Sequence, residues 1–257
     1  MGAPDTAALR QFQAFIAQTG HTYVFNDETS VHGVGVLLEV FKGMGVNPMS
    51  TADLRRGMTE LFNIEIINCP DMGNHRYIFT PNHVSDLDAL VLGLLHPRMR
   101  IVAKNGWTDN EKLRRFLDVH YDLHGLDRTS LASLRGLIAE AVQYFNADAD
   151  NKHYLIFSQG TISDFNNNSP ERISTMAQKI ARRTGVPIVN VFVEQVSMTQ
   201  PTRIVFDEPM LLAPHDDFRH IWLDRQLAMQ QALNPPARRP SLTQKHANNN
   251  KPGDPFF

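Results

Sequence analysis

The chain has 257 residues, 42% of them hydrophobic and 20% charged, which is enough apolar material for a full core and excludes the disordered class. A formal net charge of −2 gives no general attraction to nucleic acid, and the arginine pairs Arg55-Arg56, Arg114-Arg115 and Arg182-Arg183 read as solvated helix faces. The single cysteine, Cys69, excludes an intramolecular disulfide and points to a reducing, cytoplasmic compartment.

Met1 to Leu9 lack the basic-then-apolar layout of a signal peptide. Thr6 to Gln18 carry apolar residues at helical spacing, Leu9, Phe12, Phe15 and Ile16, with a polar back. A second helix is expected over Val36 to Met44, and Ser50 or Thr51 caps a third that runs to about Phe62. The apolar stretch Val31 to Val46 falls short of the roughly 20 residues that a membrane span needs and contains Glu39 and Lys42. Contact with a membrane surface remains open to it.

From Ile64 the pattern changes to short β-rich runs alternating with helices. Strands are expected at Ile64 to Ile67, Arg76 to Thr80, Arg100 to Lys104, Val119 to His124, Tyr154 to Phe157, Val186 to Val193 and Arg203 to Phe206. Helices are expected at Asp86 to Leu95, from the capping box Thr108-Asp109-Asn110-Glu111 onward, at Ser130 to Asn146, from Ser169-Pro170 to Gly185, and at Asp216 to Leu233. The chain divides into a helical segment, 1–62, read as a lid or platform; an α/β domain, 63–234; and a flexible tail, 235–257. The alternation predicts an α/β fold, a layered sheet of mostly parallel strands flanked by helices, with a helical N-terminal extension. Sites on such sheets lie at the carboxyl ends of the strands, so the turn Thr80 to Asp88 and the Gly-, Asn- and Ser-rich loop Ser158 to Ser169 share one rim.

That turn sets a histidine and a carboxylate where a strand hands over to a helix. Neutral imidazole takes a proton near pH 7, and a carboxylate on its other nitrogen fixes the tautomer and stabilises the imidazolium that forms. His83 and Asp88 are close enough to pair in this way, as a general base and its orienting acid. The spacing of Ser85 and Asp88 equally fits a helix cap. The two roles are compatible, and spacing alone leaves both open.

Asn82-His83-Val84-Ser85-Asp86-Leu87-Asp88 resembles the first motif, Asn-His-x-Ser-x-x-Asp, of the glycerolipid acyltransferases, which include the lysophosphatidic acid acyltransferases. Further matches follow in the family's order. Lys104 resembles a lysine downstream of that motif. Gly125-Leu126-Asp127-Arg128 resembles the second motif, whose arginine is associated with the acceptor phosphate. Phe157-Ser158-Gln159-Gly160-Thr161-Ile162-Ser163 resembles the third, Phe-Pro-Glu-Gly-Thr-Arg-Ser, and Gly185 to Val191 the fourth. Singly, these have ordinary readings: a surface ion pair for Asp127-Arg128, a turn for Gly160, a strand-edge break for Pro187. The ordered set covers about Arg76 to Val193.

The resemblance implies acyl transfer from a thioester, acyl-CoA or an acyl carrier protein, to a lipid or small-molecule acceptor, with His83 and Asp88 as the catalytic pair. It implies substrate contacts from Asn82, Ser85, Lys104, Asp127, Arg128, Gln159, Gly160 and Thr161. Backbone amides around Gly160-Thr161 or at the start of the Asp86 helix are candidate oxyanion donors. Phe12, Phe15, Leu37, Leu38 and Phe41 are candidates for an acyl-chain wall or for contact with a bilayer, on the cytoplasmic face of a membrane. No metal or cofactor is expected, because the remaining histidines, His120 and His124 among them, are not read as a ligand set.

Two departures change the expectation for the acceptor. The family's third-motif glutamate is Gln159 and its arginine is Ile162. An isoleucine makes none of the charge-assisted bonds to phosphate that arginine makes, which favours a non-phosphorylated alcohol or amine as an alternative acceptor. The uncharged Gln159 favours a third possibility, a lipid-binding or scaffold protein that keeps the fold without turnover.

Overall fold

Seven short runs rich in Val, Ile, Phe and Tyr pair into one sheet, because β-branched and aromatic side chains suit a pleated, covered surface. The computed structural model describes residues 6–18, 30–104, 111–147, 151–160, 162, 169–194 and 196–234. The strands are β1 Ile64–Ile67, β2 Tyr77–Pro81, β3 Met99–Lys104, β4 Asp122–Leu126, β5 His153–Leu155, β6 Ile188–Val193 and β7 Thr202–Phe206, in the order β1-β7-β6-β2-β5-β3-β4. Every described pairing is parallel except β6 with β7. Residues of β2, β5 and β6 are buried throughout, which accounts for their unbroken apolar character.

The helices are α1 Thr6–Gln18, α2 Ser30–Gly43, α3 Thr51–Leu61, α4 Asp86–Gly93, α5 Glu111–His120, α6 Leu131–Asn146, α7 Met176–Thr184 and α8 Phe218–Leu233. Alternate residues of each strand serve opposite layers. Tyr77 and Phe79 pack with Val40, Phe41, Leu54, Leu87 and Leu117 on one face. Ile78 and Tyr154 pack with Leu137, Phe145, Ile180 and Trp222 on the other. The apolar faces of α1, α2 and α3 share the first of these cores with the sheet. Among the described residues no helix is long and apolar enough to cross a membrane.

Several boundaries differ from the sequence expectation. The single helix expected after Ser169 is a 3-10 turn, Pro170–Arg172, followed by the separate α7. Ser174 N–H donates to Ser158 O (2.7 Å) instead of to a helical carbonyl, and that bond breaks the helix. Gly185 closes α7 in the left-handed region, φ 69°. The strand expected at Val119 to His124 begins at Asp122, because α5 continues through His120. There the His120 ring bridges to α3, with Nδ1 3.0 Å from Thr51 Oγ1 and Nε2 2.8 Å from Pro48 O. Both its nitrogens are thereby occupied. The expected start of the capping box at Thr108 and the tail 235–257 lie outside the described residues.

Candidate active site

Parallel strands β2, β5, β3 and β4 all run out at one edge of the sheet, and the residues that follow β2, β4 and β5 converge there. Asn82, the first residue past β2, gives its side chain to β6. Its Nδ2 donates to Val193 O (2.8 Å) and its Oδ1 accepts from Val193 N–H (2.6 Å). Asn82 is fully buried, so it fixes where the chain leaves the sheet rather than facing the cavity. Thr80 Oγ1 donates to Asn190 Oδ1 (2.7 Å), and from the opposite layer Trp222 Nε1–H donates to Thr80 O (3.0 Å).

Ser85 caps α4 with its side chain accepting from Asp88 N–H at 3.3 Å. Asp88 answers with one carboxylate oxygen, Oδ2, which accepts from the N–H groups of Val84 (2.8 Å) and Ser85 (3.0 Å). Its other oxygen, Oδ1, lies 3.0 Å from His83 Nδ1. One buried carboxylate thus serves both as the cap of a helix and as the partner of an imidazole. Against an ionised carboxylate, which only accepts, Nδ1 is the donor, and in a neutral imidazole the lone pair is then on Nε2. The Phe157 ring lies over the imidazole with centroids 4.1 Å apart, and His83 N–H donates to Gln159 Oε1.

His83 opens onto a cavity of about 640 Å³. Its polar lining is Asp86, Arg128, Gly160 and Ser174, and the remainder is apolar, including Leu90, Ile101, Tyr121, Leu123, Leu137 and Met176. Arg128 forms no ion pair among the described residues. Burial pushes its guanidinium below its ordinary pKa, a penalty that an anion in the cavity would relieve. Ile162 lines the same cavity. Gly160 takes φ 73°, and a Cβ there would lie 4.0 Å from Arg128 Nη1, so the backbone angle rather than space asks for glycine.

The remaining expected contacts are distributed differently. Asp127 is not paired with Arg128. Its Oδ1 accepts from Thr129 N–H (2.9 Å) and Oγ1–H (2.7 Å), bonds that hold its carboxyl below the usual carboxylate range, and it does not line the cavity. Ser85 is buried as a cap. Gln159 is buried behind the lining. Lys104 ends β3, with its side chain outside the described residues, as is Thr161. Gly160 N–H is bonded to Phe157 O (2.9 Å) and Asp88 N–H to Ser85 Oγ, which removes two of the amides expected to hold an oxyanion. Phe12, Phe15, Leu37 and Phe41 are core residues, and among the described residues none before His83 lines the cavity. Sequence reasoning missed Phe157 as a ring platform and Tyr121 as a wall. The signal for Phe157 was an aromatic residue at the point where a strand ends beside a polar loop.

A histidine–carboxylate pair thus stands at the strand ends of a mostly parallel sheet and opens onto a largely apolar cavity. A model of the protein family described as Acyltransferase matches residues 59–194, and the chain belongs to that family. In fold it is similar to the crystal structure of the 1-acyl-sn-glycerophosphate (LPA) acyltransferase PlsC from Thermotoga maritima. The TM-score is 0.51, over 88% of this chain and 96% of that chain, at 15% identity.

Proposed function

We propose that this protein moves a fatty acyl group from a thioester, acyl-CoA or an acyl carrier protein, to the hydroxyl of a lysophospholipid or related glycerolipid. The observation that carries this reading is the His83–Asp88 contact, 3.0 Å, at the opening of an apolar cavity. His83 Nε2 takes the acceptor's hydroxyl proton as its oxygen attacks the thioester carbonyl. The C–O bond forms, the C–S bond breaks, and the imidazolium returns the proton to the departing thiolate. Asp88 stays ionised and stabilises the imidazolium. General-base assistance of this kind contributes about 10² to 10⁴ in rate. The cavity receives the acyl chain, each buried methylene favouring binding by about 0.8 kcal/mol. Arg128 meets an anionic part of the substrate, an acceptor phosphate in this reading.

Ile162 in the lining supports a second reading, in which the acceptor is a non-phosphorylated alcohol or amine. The scaffold reading drew on the missing charge at Gln159. That residue still supplies an acceptor for His83 N–H, which supports turnover.

Thiol release from acyl-CoA, followed with a thiol reagent, tests both points. Wild type with lysophosphatidic acid is expected to exceed His83→Ala by at least about 100-fold. Equal release by the two proteins across a panel of acceptors would rule catalysis out. Lysophosphatidic acid is expected to be preferred over its dephosphorylated counterpart, with the preference lost in Arg128→Ala. Equal rates on both acceptors in wild type would leave the second reading.

A further inference from the structure

Gln159 sits in the loop that follows β5, between two residues that line the cavity, Phe157 and Gly160, yet does not line it itself. Its side chain reaches the other way. Strands β2 and β5 run parallel with Phe79 opposite Leu155, and Ile156 N–H to Phe79 O (3.0 Å) is the last backbone bond between them. Beyond that point both chains leave the sheet. His83 N–H then donates to the Gln159 side-chain carbonyl, which takes the place of a further rung. With Gln159 only 7% exposed, water does not compete effectively for that bond.

The loop carrying Gln159 is itself held at both ends. Gly160 N–H closes a turn onto Phe157 O (2.9 Å), and Ser174 N–H anchors Ser158 O (2.7 Å) to the approach of α7. The same loop lays the Phe157 ring against the imidazole at 4.1 Å. His83 is therefore fixed at three points: Asp88 on Nδ1, Phe157 on the ring face and Gln159 on the backbone. Removing the third frees the turn to shift while the other two still hold the ring.

We infer that Gln159 is a positioning residue for His83, acting through that residue's backbone N–H and not through contact with substrate. The inference rests on the acyl-transfer reading. A displacement of the base by about 1 Å costs on the order of 10² in rate. Because the cavity lining is unchanged, binding of the thioester is spared. Any oxygen acceptor of the same reach serves, so glutamate, which the resembling motif carries at this position, substitutes for glutamine.

The test compares Gln159→Met, which keeps the length and fills the space without an oxygen, with Gln159→Glu, which restores one. For Gln159→Met, kcat is expected to fall about 10- to 100-fold with KM for acyl-CoA within about twofold of wild type. Gln159→Glu is expected to return kcat to within about threefold, since a carboxylate oxygen accepts the same bond. A wild-type kcat in Gln159→Met, a loss expressed in KM alone, or no recovery in Gln159→Glu would each overturn the inference. Amide hydrogen exchange at His83 separates this outcome from failure of the function itself. The amide is expected to be protected in wild type and Gln159→Glu and to exchange faster in Gln159→Met, whether or not the protein turns over acyl-CoA. Unchanged exchange in Gln159→Met overturns the inference even if catalysis is real.

Discussion

Asp88 divides its two oxygens between a helix cap and an imidazole, and the two tasks respond differently to substitution. Asparagine keeps an oxygen that accepts from the N–H groups of Val84 and Ser85 but carries no charge, so Asp88→Asn is expected to keep most of the stability while kcat falls by about 10² to 10⁴. Asp88→Ala also takes the acceptor away from the buried N–H groups of Val84 and Ser85, for a further cost of about 1 to 3 kcal/mol. Thermal melts alongside thiol-release rates separate the effects. A Asp88→Asn protein with the wild-type kcat would show that the charge on this carboxylate does not assist the base. The pair was legible in the sequence because cap and dyad are both local, read from spacing within a single turn. The bonds from Asn82 to Val193 and from His83 to Gln159 were not, because they join positions 111 and 76 residues apart whose adjacency depends on strand order.

At the scale of elements, α4 lies against β3 through Gly93. A Cβ there would approach Ile101 Cδ1 to 2.4 Å and the Tyr121 ring to 2.7 Å, closer than packing allows. Gly93→Ala is therefore expected to destabilise by about 1 to 3 kcal/mol, lowering the melting temperature. Ile101 and Tyr121 also line the cavity, so the atoms that must shift are its walls. In a series of acyl-CoA lengths, kcat/KM is expected to drop more for long chains than for short ones. A uniform drop would place the damage outside the cavity. The course of α5 shows why the expected strand at Val119 failed. Val119 and Tyr121 favour a strand individually, but Leu117 and His120 continue an inward helical face and carry the helix to its contact with Thr51. Likewise, Ser169-Pro170 was a sound start signal, but nothing near it marks the bond from Ser174 to a loop in another part of the chain.

Across the whole molecule, the edge of the sheet opposite the cavity holds a buried histidine at the start of central strand β5. His153 is fully buried, stacks on Tyr77 (5.8 Å between centroids, 11°) and meets His96 edge-on at 4.5 Å. Its Nε2 donates to Met72 O (3.0 Å), and its buried Nδ1 has no hydrogen-bond partner among the described residues. Burial, reinforced by the neighbouring His96, pushes it down to about 4. In the unfolded chain the group titrates near 6.5. Between these values the unfolded chain binds a proton that the folded protein refuses, so stability declines as pH falls from about 6.5 towards 4. The gap corresponds to roughly 3 kcal/mol. Denaturant unfolding at pH 7 and pH 4.5 is expected to show this loss, and His153→Phe should flatten it. An equal decline in both proteins would assign the acid sensitivity to other groups. The mostly parallel character of this sheet was readable from the alternation of strands and helices. Its order, and the reversal at β7, were not. They rest on pairings between distant segments, such as β1 with β7 and β2 with β6, which periodicity does not encode.

The indole of Trp222 is completely buried and donates to the carbonyl of Thr80, in the strand that delivers His83. The chain has two tryptophans, and the other is Trp107. With Trp107→Phe, the intrinsic fluorescence of the protein therefore comes from one emitter, attached to the strand that leads into the site. Its red shift on unfolding becomes an optical clock for that strand, to be set against circular dichroism of the surrounding helices.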